Sequence, residues 1–195
     1  MPRQVDHESR RRQIADAVCQ LADESGLEGV TLRDVAARAE VSMGAVQRCF
    51  RTKEEMLVFA LTHIGERITT RVTAQLVASP AQSARTTLGH AATEIALLRE
   101  EQRAEARVWL AFVAQAAVTP RLAGILRASY AELQALCSRL IGEATGTAAP
   151  EHAARALLAL ADGLTTHVLI GHLSPEEARD VLDGHLTRLW GEAAT

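Results

Sequence analysis

Strand signals are almost absent from this sequence, and aromatic residues make up only 3% of its 195 residues. A sheet-built fold is therefore excluded as the main architecture. No apolar run reaches the roughly 18 residues that suggest a membrane-spanning helix. Residues 1–12 are polar and have no apolar core of a signal peptide. The expectation is a soluble, cytoplasmic protein with no membrane partner. Cysteine is scarce and badly spaced for chemistry: Cys19, Cys49 and Cys137 form neither a Cys-x-x-Cys pair nor a disulfide framework. Each sits in an apolar helical setting, so buried packing is expected of them. Catalytic constellations are missing too. There is no Gly-rich phosphate loop, no Ser nucleophile elbow and no His-Glu-x-x-His. The seven histidines are scattered. His167 and His172, five apart on one expected helix, lack the i, i+4 spacing of a helical metal pair. No catalysis, no metal and no cofactor are expected.

A formal net charge of −3 by itself argues against a nucleic-acid binder. The distribution of charge reads differently. Residues 1–53 carry nine basic groups against eight acids, and the remainder is acidic. Arg3, Arg10, Arg11 and Arg12 cluster on an N-terminal arm; Arg48, Arg51 and Lys53 cluster further on. Such local placement can neutralise phosphates despite the acidic total.

What is present is helix. Alanine is abundant, and helical periodicity runs nearly throughout a chain that is 48% hydrophobic, enough for a real core in one or two domains. The fold class expected is all-α with about nine helices. The first spans about 7–25, with Ile14, Val18 and Leu21 on one face and Gly26 as its stop. Thr31 with Asp34 forms a capping box for a second helix over about 32–38, and Ser42 caps a third over about 43–49. Thr52 with Glu55 opens a fourth that runs to about 78, where Ser79-Pro80 punctuates it. Further helices are expected over about 81–99, 102–117, 121–144 and 151–171. Ser174-Pro175-Glu176-Glu177 then starts a last helix that ends near Trp190.

Residues 31–50, TLRDVAARAEVSMGAVQRCF, place two short helices around the turn Ala39-Glu40-Val41. Val35, Val41 and Val46 are apolar where the pair must pack on the first helix, and Ala36 is small where two helices cross. This is the spacing of a helix-turn-helix, whose second helix must stand clear to enter a major groove. The inward face of that helix would be Ala45, Val46, Cys49 and Phe50; the outward face would hold Met43, Gly44, Gln47 and Arg48.

From Arg12 to Leu57 the chain resembles the head of the TetR family of transcriptional regulators. Gly26, Thr31, Val41-Ser42-Met43-Gly44, Phe50 and Thr52-Lys53-Glu54-Glu55 carry the resemblance. It departs from the family at Glu40, where Gly is usual, at Gln47, where Tyr is usual, and at Cys49, where an aromatic residue or His is usual. A non-Gly residue at positive φ is strained, so an adjusted turn is expected at Glu40. The resemblance implies phosphate contacts from Thr31, Ser42, Gln47 and Lys53, and base readout from Met43, Gly44, Ala45 and Arg48. Arg48 is the candidate for bidentate contact with guanine.

The eighth helix carries two apolar rows, Leu157-Leu160-Leu164-Val168 and Leu158-Ala161-Thr165-Leu169. One row can bury in its own subunit; the second needs a partner, which points to a four-helix bundle between two copies. Leu158, Thr165, Leu169, Leu182 and Leu189 are the expected dimer contacts. Residues 107–130 and 156–189 resemble the BetI-type branch of the same family through Trp109, Phe112, Asp162-Gly163-Leu164 and the Ser174-Pro175 start. Polar groups among apolar ones suit a small-molecule site, and His90, Glu94, Trp109, Phe112, Tyr130, Cys137 and His167 are its candidate liners. The whole reading is a helix-turn-helix domain over 1–52 and a ligand-binding and dimerisation domain over 53–195. Its partners are a pseudo-palindromic DNA operator, a second copy of the chain and an unidentified small-molecule effector that releases a repressor. The alternative is a regulator or activator insensitive to ligand, whose body only dimerises.

Overall fold

The computed structural model describes residues 2–77 and 83–191, with side chains over 7–74 and 83–191. The described residues are helical almost throughout, and no strand occurs among them. The order is α1 (Pro2–Ser25), α2 (Leu32–Arg38), α3 (Met43–Cys49), α4 (Lys53–Val77), α5 (Ala84–Ile95), a 3₁₀ turn (Glu100–Gln102), α6 (Arg103–Ala116), α7 (Pro120–Thr145), α8 (Pro150–Leu169) and α9 (Pro175–Gly191). The all-α expectation of about nine helices holds. The expected Ser79-Pro80 break lies outside the described residues.

Capping explains most of the boundaries. Thr31 Oγ1 accepts the Asp34 N–H at 3.2 Å, Ser42 Oγ accepts that of Ala45 at 3.1 Å, and Thr52 Oγ1 accepts that of Glu55 at 3.0 Å. At α9 the box is reciprocal: the Glu177 N–H donates to Ser174 Oγ at 3.1 Å and the Ser174 N–H to Glu177 Oε2 at 2.7 Å. Each cap satisfies N–H groups that the helix itself cannot pair, worth about 1 kcal/mol.

Four boundaries differ from expectation, the first being the start of α5, which comes at Ala84 after the Ser83 cap and not near 81. α1 begins at Pro2 rather than near residue 7, so the arginine-rich arm is the first turns of a helix. α5 stops at Ile95 and not near 99, because the chain enters the left-handed region at Leu97 (φ 48). α8 stops at Leu169, where Gly171 (φ 72) turns the chain back and the His172 N–H donates to the His167 carbonyl at 2.9 Å.

Two compact units result: Met1–Glu66 with Arg107–Leu126, and Arg67–Ala106 with Arg127–Thr195. In the first, Ile14, Val18, Val30, Val35, Val46, Phe50, Met56 and Phe112 are essentially sealed from solvent. In the second, α8 packs against α9 and α5. Leu88, Leu98, Ile141, Leu157, Leu164 and Leu182 form its core together with Cys137. None of the helices is long and apolar enough to cross a membrane among the described residues.

Candidate nucleic-acid interface

α1, α2 and α3 pack on one another in the first unit. Val35, Ala36, Val46, Cys49 and Phe50 supply the buried side. The corner between α2 and α3 turns on Glu40, whose φ is 52. The turn is thus kept in the left-handed conformation where glycine is usual, and Glu40 carries the strain instead of the chain rearranging. The Val41 N–H closes the corner on the Ala36 carbonyl at 3.0 Å.

That packing leaves a polar row in water. Ser42, Met43, Gln47 and Arg48 on and before α3 are exposed, as are Thr31, Arg51 and Lys53 around it, and Gly44 is half-buried. Arg48 lies back along its own helix, since a Cβ built on Gly44 would stand 3.5 Å from Arg48 Nη1. That places the guanidinium near the N-terminal end of α3, the end that a helix-turn-helix presents to base edges. Lys53 Nζ reaches the Leu27 carbonyl at 3.4 Å and still stands in solvent.

Ala45 is a correction. It is 5% exposed and faces α1 and α2, so its methyl packs inside and cannot touch a base. The period of 3.6 that puts Val46 and Cys49 inward carries Ala45 with them. Thr31 is exposed but committed: its hydroxyl donates to Asp34 Oδ2 at 2.6 Å while accepting the Asp34 N–H. Ser42 only accepts, and keeps its own proton to donate outward. Of the arm arginines, Arg11 lies over the rings of Phe50 and Phe59, 4.9 and 4.2 Å from their centroids. It therefore fastens α1 to the α3–α4 region by cation–π contact. Arg12 stands 3.6 Å from Glu8 in an i, i+4 pair.

The candidate ligand residues do not converge. His90 and His167 are exposed, so neither imidazole lines an enclosed cavity of its own unit. The His167 ring instead meets the His172 ring at 4.9 Å across the turn that ends α8. Their five-residue spacing excludes a helical i, i+4 pair, and the end of α8 at Leu169 brings the rings together across the turn instead. Phe112 is 0% exposed and packs in the core of the first unit; Trp109 in the same unit is half-buried. Cys137, also 0% exposed, is walled by aliphatic side chains, and burial pushes its thiol up to about 11. Both are packing residues. Glu94 is buried: its Oε2 accepts from Arg71 and Gln102, while its Oε1 lies 2.8 Å from Arg99 Nη1 as an ion pair without hydrogen-bond alignment. Tyr130, half-buried, donates to Asp162 Oδ2 at 2.7 Å. Burial raises the Asp162 carboxyl above the ordinary carboxylate range, and the Tyr130 hydrogen bond pulls partly the other way. Among the described residues no cluster of three or more His, Cys, Asp or Glu could hold a metal ion.

Three of the five expected dimer residues are corrected. Leu158, Thr165 and Leu182 are buried within one chain, and Leu169 and Leu189 are half-buried. Most of both apolar rows of α8 is buried in its own unit, where α8 packs against α5 and α9, while Leu160 and Leu169 stay half-buried. The outward face holds the small residues Ala156, Ala159 and Gly163 among exposed His152, Arg155 and His167, then Ile170, 69% exposed, with Val181 of α9 42% exposed. Small residues at i, i+3 and i+7 were the signal for this face; the search for large apolar residues passed over it.

Comparison with known proteins agrees with both halves of the chain. Residues 14–58 match the family of bacterial regulatory proteins of the tetR type, and residues 84–191 match the C-terminal domain of BetI-type transcriptional repressors. The HTH-type transcriptional regulator BetI of Burkholderia cenocepacia is 31% identical over 167 residues, 84% of each chain. The HTH-type transcriptional regulator PksA of Bacillus subtilis is 37% identical over 118 residues, 60% of this chain and 56% of that one. Among solved structures, a transcriptional regulator from Rhodococcus sp. Rha1 superposes with a TM-score of 0.85 at 33% identity, covering 93% of this chain and 96% of that one. A regulator from Saccharomonospora viridis crystallised in complex with choline gives 0.83 at 22% identity, covering 92% and 96%, a likeness of fold. The chain belongs to the TetR family of transcriptional regulators, proteins that are not enzymes, and its C-terminal half is of the BetI type.

Proposed function

We propose that this chain is a homodimeric repressor that reads a pseudo-palindromic operator through α3 and is released by a small molecule. The observation that carries the DNA-binding part is the exposed row Ser42, Met43, Gln47 and Arg48, held rigid by a capped corner and backed by Lys53 at the start of α4. A fork-shaped guanidinium at Arg48 suits the O6 and N7 of guanine, while Ser42, Gln47 and Lys53 suit phosphate oxygens. The DNA-binding domain is assigned to 1–52 and the ligand-binding and dimerisation domain to 53–195. Dimerisation is assigned to the outward face of α8 and α9, where Ala156, Ala159 and Gly163 permit close helix approach. For the ligand, Tyr130 and Asp162 offer an aromatic ring beside a carboxylate that burial has left poorly solvated. A small cation would relieve that desolvation and lie against the ring. Choline and related quaternary amines are therefore the first ligands to try.

The test begins with selection of bound duplexes from a random pool by the full-length protein. Arg48→Ala should then weaken binding to the selected site by roughly 10- to 100-fold and relax preference at one base pair of each half-site. Lys53→Ala should weaken all sequences alike and lower the salt slope by about one per subunit. Retained affinity in both variants rejects the assignment of α3. Addition of quaternary amines should weaken operator binding. Insensitivity to them and to a broader metabolite panel favours the regulator without a ligand.

A further inference from the structure

The second unit contains a polar chain that runs from α8 to α4 through one strained corner. Glu94, 1% exposed, sits on the last turn of α5. Its Oε2 accepts from Gln102 Nε2 at 2.8 Å and from Arg71 Nε at 3.4 Å, and its Oε1 stands 2.8 Å from Arg99 Nη1. Arg71 belongs to α4, and its remaining guanidinium nitrogens donate to both carboxylate oxygens of Glu105 on α6. A planar fork clamped between two carboxylates from different helices has one setting, so it fixes where this stretch of α4 lies.

The corner between Glu94 and Arg99 is not relaxed. Leu97 is buried at 4% exposure with φ 48, a conformation that costs a non-glycine residue about 1–2 kcal/mol and persists only where neighbours enforce it. One neighbour is Thr165 of α8, whose hydroxyl has two acceptors: the Ala96 carbonyl at 2.7 Å and the Ala161 carbonyl at 2.9 Å. A hydroxyl owns one proton. Donated to Ala96, it ties α8 to the corner; donated to Ala161, it closes on its own helix and lets the corner go. Beyond the corner the alternatives are discrete, because a buried carboxylate that loses one partner is strongly destabilised rather than gradually loosened.

We propose that Thr165, the Ala96–Leu97 corner, Glu94 and Arg71 form a relay through which α8 sets the position of residues 67–77 of α4. Thr165 and Glu94 are positioning residues, and the input is α8 itself. This rests on the proposed function only where operator affinity is read.

The experiment is amide hydrogen exchange by mass spectrometry on the full-length protein, with operator affinity measured in parallel on the selected duplex. Thr165→Val keeps the shape and removes the proton. It should raise exchange over 67–77 at least tenfold, although no residue of α4 is altered, and weaken operator binding threefold or more. Glu94→Gln should do the same, and Thr165→Val should add little in that background, because both cut one line. Arg99→Gln serves in its place if Glu94→Gln does not fold. Exchange that rises only within α8 and the 96–102 corner, or effects of the two substitutions that simply add, would overturn the relay. Exchange over 67–77 decides it even if the wild type binds no duplex, a result that would instead reject the proposed function.

Discussion

At the scale of single residues, the environment decides what a side chain can do more than its type does. Asp162 is the clearest instance. Desolvation raises its carboxyl above the ordinary range and the Tyr130 hydroxyl offsets part of the rise. The folded chain therefore holds this proton to higher pH than the unfolded chain does. Stability from this group is full below the ordinary carboxylate pKa, falls as pH rises through the raised value, and stays lower above it. Asp162→Asn keeps an acceptor for Tyr130 and never charges. It is expected to exceed the wild type in stability at pH 7.5, with the gap closing as pH falls toward 4, by urea denaturation at both ends. A wild type that is the more stable at neutral pH would mean that an unseen cation already compensates Asp162. Sequence alone could not show this. Asp162 was visible as part of a family resemblance, but its pairing with Tyr130 thirty-two residues away is made by packing of α7 on α8.

At the scale of elements, the legible parts were those set by neighbours in sequence. Thr31, Ser42 and Ser174 marked helix starts correctly because a cap needs only a side chain and an N–H three residues on. Ends were less legible where the stop came from outside. Nothing near Leu97 signals a stop; α5 ends there because Glu94, Arg99 and Thr165 hold the corner. At Ala45 the helical period is right and the family resemblance is not: periodicity places its methyl inward, where it lies, and only the resemblance implies a base contact. Glu40 tests the opposite case, a local rule that is broken and tolerated. At φ 52 the residue bears a left-handed cost that glycine would not. Glu40→Gly is expected to stabilise the protein by about 0.5–1 kcal/mol after the added freedom of the unfolded chain is subtracted, raising its thermal midpoint by a few degrees. Glu40 has no hydrogen bond through its side chain among the described residues that would offset the gain. A lower midpoint would show that the carboxylate holds the corner by another route.

At the scale of the whole molecule, the apolar rows of α8 misdirected the search for a partner surface. Two rows of large residues predict two partners, yet most of both is buried within one unit, with only Leu160 and Leu169 half-exposed. The surface left for a second copy has a small-residue patch, Ala156, Ala159 and Gly163 on α8, bordered by exposed His152, Arg155, His167, Ile170 and Val181. The small residues let two backbones come close, and they make the proposed interface separable from the fold. A Cβ built on Gly163 meets nothing within 4 Å in its own chain, and the glycine is mid-helix, where almost any side chain has better helix propensity. Gly163→Arg should therefore leave the subunit folded, with unchanged far-ultraviolet circular dichroism, while placing a long cation where the partner helix must lie. Light scattering should give the wild type about twice the 21.0 kDa of one chain and the variant a single chain's mass. Operator affinity should fall 100-fold or more, because one head keeps only one half-site and loses the advantage of two linked contacts. A variant that stays dimeric with its affinity intact would move the interface off α8, and a wild type of single-chain mass at micromolar concentration would remove the symmetric reading of the operator altogether.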